Sequence, residues 1–471
     1  MMSRETEYKR LFRVEEETMD RVVAAALSRG GDYADLYFEN TVKQYFRLTD
    51  SKVTAGGLNT DFGVGIRTLS GTRSGYAYCE TTAAADMLRA AGAAALIAAE
   101  GQRFTYGSRR EEPAASYPQT DGWESLPAGR SVSFLRELET AIRDRDSRCG
   151  QVSVYLEYDH SDIMMYNSLR ELRCDARPLV ELSVSAVFAD RGEKLISSAS
   201  RSFRLDTGIL GPGLVRDIAD TVTRRLDDRF RARRPKGGTM NVVMGAGASG
   251  ILLHEAMGHA FEADFNITGE SVFAGRTGER VAPEGIDIVD DGTMYGDRGA
   301  CRYDDEGVEG QKTYMVRDGI LCSYLHDRLS AARYGVAPTG NGRRENYTCP
   351  PIPRMRNTYM EAGRDKPEDI IASVKKGIYV DDFSNGQVKI GEGDFTFYVR
   401  SGYTIENGRL CQPVKDINII GNGPRALADI RAVGNDLAIP PYAWTCGKGQ
   451  SVPVSCGIPT VLIDRLTVGG E

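Results

Sequence analysis

A chain of 471 residues, 41% hydrophobic and 27% charged, is too long for one small core and has the composition of an ordinary globular protein. Its formal charge of −7 argues against a duplex nucleic acid binder, which needs a basic face. No apolar run reaches the roughly 18 residues that span a bilayer, and residues 1–12 lack a secretory core, so the expectation is a cytoplasmic protein that binds neither nucleic acid nor membrane.

The first predicted helix shows in the stripe Met19, Val22, Val23, Ala26 and Leu27, closed by Gly30. A strand follows, because Ala34, Leu36 and Phe38 alternate with Asp35, Tyr37 and Glu39, and Val42, Gln44, Phe46 and Leu48 keep the period. Residues 63–68 and 75–79, separated by Ser70-Gly71-Thr72, read as a hairpin. Thr82 is placed to cap a helix running through Leu88 and Leu96 to Gly101. Residues 102–129 turn polar, with Pro113, Pro118 and Pro127, and read as a long loop or linker. A helix is predicted over 131–142, strands over 151–158 and 179–188, and a helix on the stripe Val215, Ile218, Ala219, Val222 and Leu226.

The basic, proline-broken and glycine-ended segment 231–238 is the best boundary. It divides a domain 1–236, itself divisible near 102–130, from a domain 237–471. Past it, 241–244 is a short strand and 251–263 a helix. The remainder is glycine-rich, with short alternating runs such as 395–399 and 452–454. The predicted class is α+β, with a mixed α/β N-terminal domain and a mostly antiparallel C-terminal one.

Only four histidines exist, and two of them, His254 and His259, stand five residues apart in His254-Glu255-Ala256-Met257-Gly258-His259. A hydrolytic zinc needs three protein ligands, an open position for water and a carboxylate to take that water's proton. Two imidazoles and the intervening Glu255 supply most of that set. Histidines four apart diverge by roughly 40° on an ideal α-helix, whereas five apart they diverge by roughly 140°. The metal helix must therefore be distorted near its second turn, and Gly258 is the residue expected to tolerate it.

Gly245-Ala246-Gly247-Ala248-Ser249-Gly250 has the form of a dinucleotide fingerprint after a strand. No clear second parallel strand follows within about 30 residues, so these glycines are expected to allow close backbone approach beneath the metal helix or to present amides to a substrate. Nine cysteines, dispersed and without a CxxC pair, suit reduced thiols. His326 reads as a structural hydrogen bonder and His160 as a loop residue. The acidic clusters 290–291 and 304–306 lack a calcium register and read as turns. Residues 341–344 are a weaker candidate for binding substrate carbonyls or a C-terminus.

At His254–His259 the chain resembles the TldD/PmbA family of metallopeptidases, in its TldD branch. The resemblance extends through Tyr324-Leu325-His326-Asp327-Arg328, Thr339-Gly340-Asn341-Gly342-Arg343-Arg344 and Arg354-Met355-Arg356-Asn357-Thr358. It continues through Ile419-Ile420-Gly421-Asn422-Gly423-Pro424 and Cys446-Gly447-Lys448-Gly449-Gln450-Ser451-Val452-Pro453-Val454. The resemblance implies a two-domain protein binding Zn2+ through His254, His259 and Cys446 and cleaving flexible or unfolded peptides. It also implies a dimer, either of one chain or with a PmbA-like paralogue. The family's older association with DNA gyrase finds no support in the acidic charge.

Cys456 competes with Cys446 as third ligand. Val452, Val454, Cys456 and Ile458 share one face of an alternating run, so Cys456 reads as a buried apolar thiol. Cys446 precedes Gly447-Lys448-Gly449, where the backbone can bend toward a metal and Lys448 is expected to favour the thiolate. Glu255 is the expected general base, and substrates are expected to pair with an exposed strand of the C-terminal sheet. Two alternatives are a peptide-binding subunit with a vestigial metal helix and a nucleotide enzyme using residues 245–250.

Overall fold

Long alternating runs in the first half build a six-stranded antiparallel sheet. Its strands are β1 (Tyr33–Thr49), β2 (Lys52–Ser70), β3 (Arg73–Cys79), β4 (Cys149–Asn167), β5 (Leu172–Asp190) and β6 (Glu193–Phe203), ordered β3-β2-β1-β4-β5-β6. The structure is a computed structural model describing residues 3–98, 103–107, 115–119, 123 and 126–470, with sheet outweighing helix. Helices α1 (Arg4–Leu11), α2 (Glu16–Ala26) and α3 (Ala84–Ala94) frame a cluster that includes Phe12, Met19, Leu36, Phe38 and Ile66. Helices α4 (Ala128–Arg145) and α5 (Pro212–Thr223) cover the other end of the sheet, over Leu48, Val154, Leu182 and Phe188. No described helix is long and apolar enough to cross a membrane.

Several local expectations are corrected. Thr82 does not cap α3, whose N-cap is Ala83; the Thr82 hydroxyl donates instead to the Phe12 carbonyl at 2.6 Å, tying α3 to the end of α1. Helix α3 stops at Ala94, a 3-10 turn Ala95–Ile97 follows, and Gly101 lies outside the described residues. His160 is inside β4, its Nε2 3.2 Å from Asp162 Oδ1. The expected linker is partly core. Tyr117 and Trp123 are buried, the Tyr117 hydroxyl donates to Asp175 at 2.6 Å, and Trp123 Nε1 donates to the Leu205 carbonyl at 2.9 Å.

In the second half, strands Gly238–Met244, Val461–Gly469, Ile417–Asn422, Asp394–Glu406 and Lys376–Lys389 pair in that order, and the last pairs back on the first. The ring closes as a barrel and removes its own edges. A second sheet runs Ile320–Leu321, Lys312–Arg317, Ile288–Asp291, Asn357–Met360, Ser451–Gly457 and Trp444–Gly447. Pairing is antiparallel apart from Gly238–Met244 with Lys376–Lys389 and Asn357–Met360 with Ser451–Gly457. The metal-motif helix lies against both sheets, in one apolar cluster with Val242, Met355, Val380 and Ile458.

The two halves meet along a buried ionic seam. Arg67 reaches Glu306 at 2.6 Å, Arg177 pairs with Asp305, and Arg344 stands 3.5 Å from Asp35 while stacking on Tyr37. The acids of 304–306 are therefore matched by guanidinium groups and by backbone N–H donors to Asp304. Residues 341–344 belong to the same framework, where their side chains are engaged by backbone carbonyls of the chain itself. Asn341 Nδ2 donates to the Arg354 carbonyl at 3.0 Å, Arg343 to the Met355 carbonyl at 2.6 Å and Arg344 to the Asp305 carbonyl at 2.9 Å. His326 is buried 3.2 Å from the Ser330 hydroxyl, and burial pushes its pKa down to about 4.

Candidate metal centre

Strand Gly238–Met244 delivers the chain through residues 245–250 into the α-helical turn Gly250–Leu253. The turn then widens into a π-helix over His254–Gly258 before a 3-10 turn His259–Phe261. The His259 N–H donates to the His254 carbonyl, five residues back. In this wider ladder the two histidines are hydrogen-bonded neighbours along one face, so the divergence of an α-helix is undone. Their rings stand 5.1 Å apart, centroid to centroid, at 78°.

Gly258 serves this distortion differently from the expectation. Its φ of −60° and ψ of −47° are ordinary helical values, so no glycine-specific backbone freedom is used. A Cβ there would lie 2.2 Å from Met355 Sδ, so the missing side chain makes room for a core methionine. The other glycines do allow close approach: a Cβ on Gly245 would meet the Tyr379 hydroxyl at 2.6 Å, and one on Gly250 the Gly457 nitrogen at 2.7 Å. These contacts account for both glycines by packing within the chain.

Cys446 arrives from the far end of the chain on the edge strand Trp444–Gly447, opposite Val452. Its Sγ stands 3.2 Å from His259 Nε2. The ligand atoms of His254, His259 and Cys446 all lie within 4.8 Å of one another, and all three residues are buried. Among the described residues neither ring nitrogen of His254 has a nitrogen or oxygen hydrogen-bond partner; the thiols of Cys456 and Cys446 are its electrostatic neighbours. A buried imidazole left this way is costly unless a cation takes up a lone pair. Two imidazoles and a thiolate are also the donor types zinc takes, with a fourth position open. The residues present fit a zinc ion.

Behind these three side chains lies a set of charges that the sequence reading missed. His259 Nδ1 stands 2.9 Å from Glu262 Oε2, which leaves Nε2 directed at the cluster. Glu262 also accepts from Lys448 Nζ at 3.0 Å, and Arg354 Nε stands 3.8 Å from its other oxygen. Burial works to raise the Glu262 pKa, but His259 and Lys448 overcome it and hold it at about 2. Arg354 also donates to the Cys446 carbonyl at 2.7 Å and the Gln450 carbonyl at 2.8 Å, clamping the hairpin that carries the thiol. Lys448 does not act on Cys446 as expected, since its ammonium serves Glu262, Asp264 and the Pro353 carbonyl. Burial opposes ionisation of Cys446, yet His254 and then His259 bring its pKa down to about 4. Cys456 is fully buried, and burial pushes its thiol up.

Glu255 begins the π turn beside His254, half-buried and with no hydrogen bond or ion pair to a described residue. A cleft of about 810 Å³ opens between the first sheet and the barrel. It reaches Ile251, one turn before His254, and Trp444, two residues before Cys446. The closed barrel offers an extended peptide no edge within its ring. The carbonyls of edge residues Trp444 and Cys446 are already taken by Arg298 and Arg354.

Comparison with known proteins agrees on one family. The chain matches the PmbA/TldA metallopeptidase C-terminal domain over residues 237–470, domain 1 of that family over 34–98 and its central domain over 121–229. It is 38% identical over 451 residues to a protein of Haemophilus influenzae named a metalloprotease TldD homolog, spanning 94% of each chain. A zinc metalloprotease TldD homolog of Saccharolobus solfataricus is 33% identical over 258 residues, 54% of this chain and 57% of that one. A Thermotoga maritima crystal structure described as a modulator of a DNA gyrase superposes with a TM-score of 0.78 at 21% identity, covering 96% of this chain and 100% of that one. At that identity the likeness concerns the fold alone.

Proposed function

The chain belongs to the PmbA/TldD family of metallopeptidases, and from that footing we propose that it is a zinc-dependent peptidase that cleaves unfolded or flexible peptides. One observation carries the reading: a π turn and a distant hairpin bring the donor atoms of His254, His259 and Cys446 within 4.8 Å in a buried site where, among the described residues, only thiols face the His254 ring nitrogens.

In this proposal His254, His259 and Cys446 hold the zinc. Bound there, zinc supplies a Lewis acid for the scissile carbonyl and lowers the pKa of its water. Glu262 fixes the His259 ring with Nε2 toward the cluster, and Lys448 and Arg354 keep Glu262 charged and in place. Glu255 takes a proton from the attacking water and returns it to the leaving amine. The cleft that reaches Ile251 and Trp444 is the approach for an extended segment, since its walls come from both halves of the chain. The division into 1–236 and 237–471 is part of the same proposal.

The test is Glu255→Gln, which keeps size and hydrogen-bonding capacity but cannot take up a proton. Cleavage of an unfolded protein should fall to background while about one zinc per chain is retained, read by plasma emission spectrometry. Turnover that survives the change, or zinc lost with it, refutes the assignment. Wild-type protein that holds zinc without cleaving supports the peptide-binding alternative.

A further inference from the structure

One wall of the cleft between the first sheet and the barrel is a floor of hydroxyls. Ser153, Ser185 and Ser198 lie opposite one another across β4, β5 and β6, and Tyr155, Ser183 and Ser200 form the next row. Alternation puts both rows on the face opposite Val154, Val184 and Ala199, which pack in the apolar cluster under α4 and α5. The charges around this floor are mostly matched. Arg224 and Arg225 share Asp381 at 3.6 and 3.3 Å, and Arg400 stands 3.3 Å from Asp382. Asp228 accepts from Arg231 at 2.7 Å and from the Tyr403 hydroxyl at 2.8 Å, Lys415 is followed by Asp416, and Arg47 lies over the Tyr155 ring. Arg229, on the short helix Leu226–Arg231, is the exception. It donates to the Ser197 hydroxyl at 2.6 Å and the Ile196 carbonyl at 2.9 Å, both neutral, and has no ion-pair partner among the described residues. Burial and then Arg400 work against its charge and lower its pKa, and Asp382 offsets them only in part.

We propose that Arg229 and Arg400 together receive a carboxylate of the bound peptide, either an aspartate or glutamate side chain or the C-terminus. The proposal rests on the reading of this cleft as the peptide's approach. A guanidinium carries five N–H donors in a planar fork that matches a carboxylate, and Arg229 uses two of its nitrogens on neutral oxygens. Two half-buried guanidiniums that share one aspartate repel each other, and an incoming anion relieves that repulsion while taking up the spare donors. The serine rows carry no charge and either donate or accept, so they suit the main chain of a segment whatever its sequence. The cleft then selects by one negative charge held outside the metal centre, in a chain whose own formal charge of −7 otherwise repels acidic segments.

The experiment is fluorescence anisotropy of N-terminally labelled unfolded peptides on the full chain carrying Glu255→Gln, so that binding is read without cleavage. Three peptides of one sequence are compared: a neutral one with an amidated C-terminus, the same with a central glutamate, and the neutral one with a free C-terminus. At least one carboxylate peptide should bind about tenfold more tightly than the neutral one, and which of the two does so identifies the source of the carboxylate. The ratio should shrink as salt is raised. Arg229→Gln should bring the ratio close to one. Asp382→Asn, which frees Arg400 from its partner, should raise it. Equal affinities for all three peptides overturn the proposal. So does an Arg229→Gln protein that binds every peptide more weakly but keeps the ratio, since that is the mark of a structural role. A charge preference in a protein that never cleaves, with Glu255 intact, upholds the carboxylate site and removes the peptidase reading instead.

Discussion

Replacing Gly258 by alanine separates two reasons for a glycine in the turn between His254 and His259. Were it needed for backbone freedom, the substitution would strain the π turn; at φ −60° it does not, and alanine should gain about 1 kcal/mol of helix propensity over glycine. The new methyl, however, would sit 2.2 Å from Met355 Sδ and 3.1 Å from its Cε. Met355 is fully buried in the main apolar cluster, so it cannot swing into solvent. Overpacking of this kind costs about 1–3 kcal/mol, and the net expectation is a loss of up to about 2 kcal/mol. Met355→Ala alone should cost about 2–5 kcal/mol through the cavity it leaves. In the double variant the methyl added at position 258 has room, so the loss should fall short of the sum by about 1–3 kcal/mol. Urea denaturation of the zinc-free proteins measures all four corners. A Gly258→Ala protein more stable than wild type, or a double variant that is simply additive, refutes the steric reasoning.

Cys446→Ser should lose zinc and activity steeply, whereas Cys456→Ser should bind zinc and cost only modest stability; metal titration of both distinguishes them, and the reverse pattern moves the ligand to Cys456. Glu262→Gln should weaken zinc binding by about 10–100-fold, since a neutral amide holds the His259 ring less firmly, and chelator competition reads the change. Glu39 is buried, accepts from the Thr41 hydroxyl and the Tyr347 N–H, and has its pKa raised by burial to about 7. Because its folded value lies above the unfolded one, its stabilising contribution is complete below about pH 4.5 and is lost as pH rises through about 7, up to about 3 kcal/mol. Glu39→Gln should flatten that part of the stability–pH curve and make the protein relatively more stable above pH 7; an unchanged curve would show that Glu39 stays ionised in the fold.

Legibility followed the range of the signal. Strand β1 and the stripe of α2 were readable because burial on one face imprints a period on neighbouring residues. Residues 52–62 gave no strand signal, since both faces are exposed and nothing selects alternation. The helix expected over 251–263 exists, but its break into α, π and 3-10 turns follows from packing against Met355 and Gly457, which lie far along the chain. Glu262, three residues past His259, is detectable from spacing; the clamp by Arg354 is not, because its partners are backbone carbonyls 92 and 96 residues away.

By itself the sequence determined the donor types: two imidazoles five residues apart, a glutamate between them and a cysteine near the far end. Covalent order alone makes His254 and Glu255 neighbours. Only the tertiary structure decided that the imidazoles turn to one face and that Cys446, 187 residues from His259, closes on them. Only it decided that Lys448 charges Glu262 rather than the thiol. A pattern of residues specifies which atoms are available, whereas their convergence depends on long-range pairing and on which charges are desolvated together, and neither leaves a local period to read.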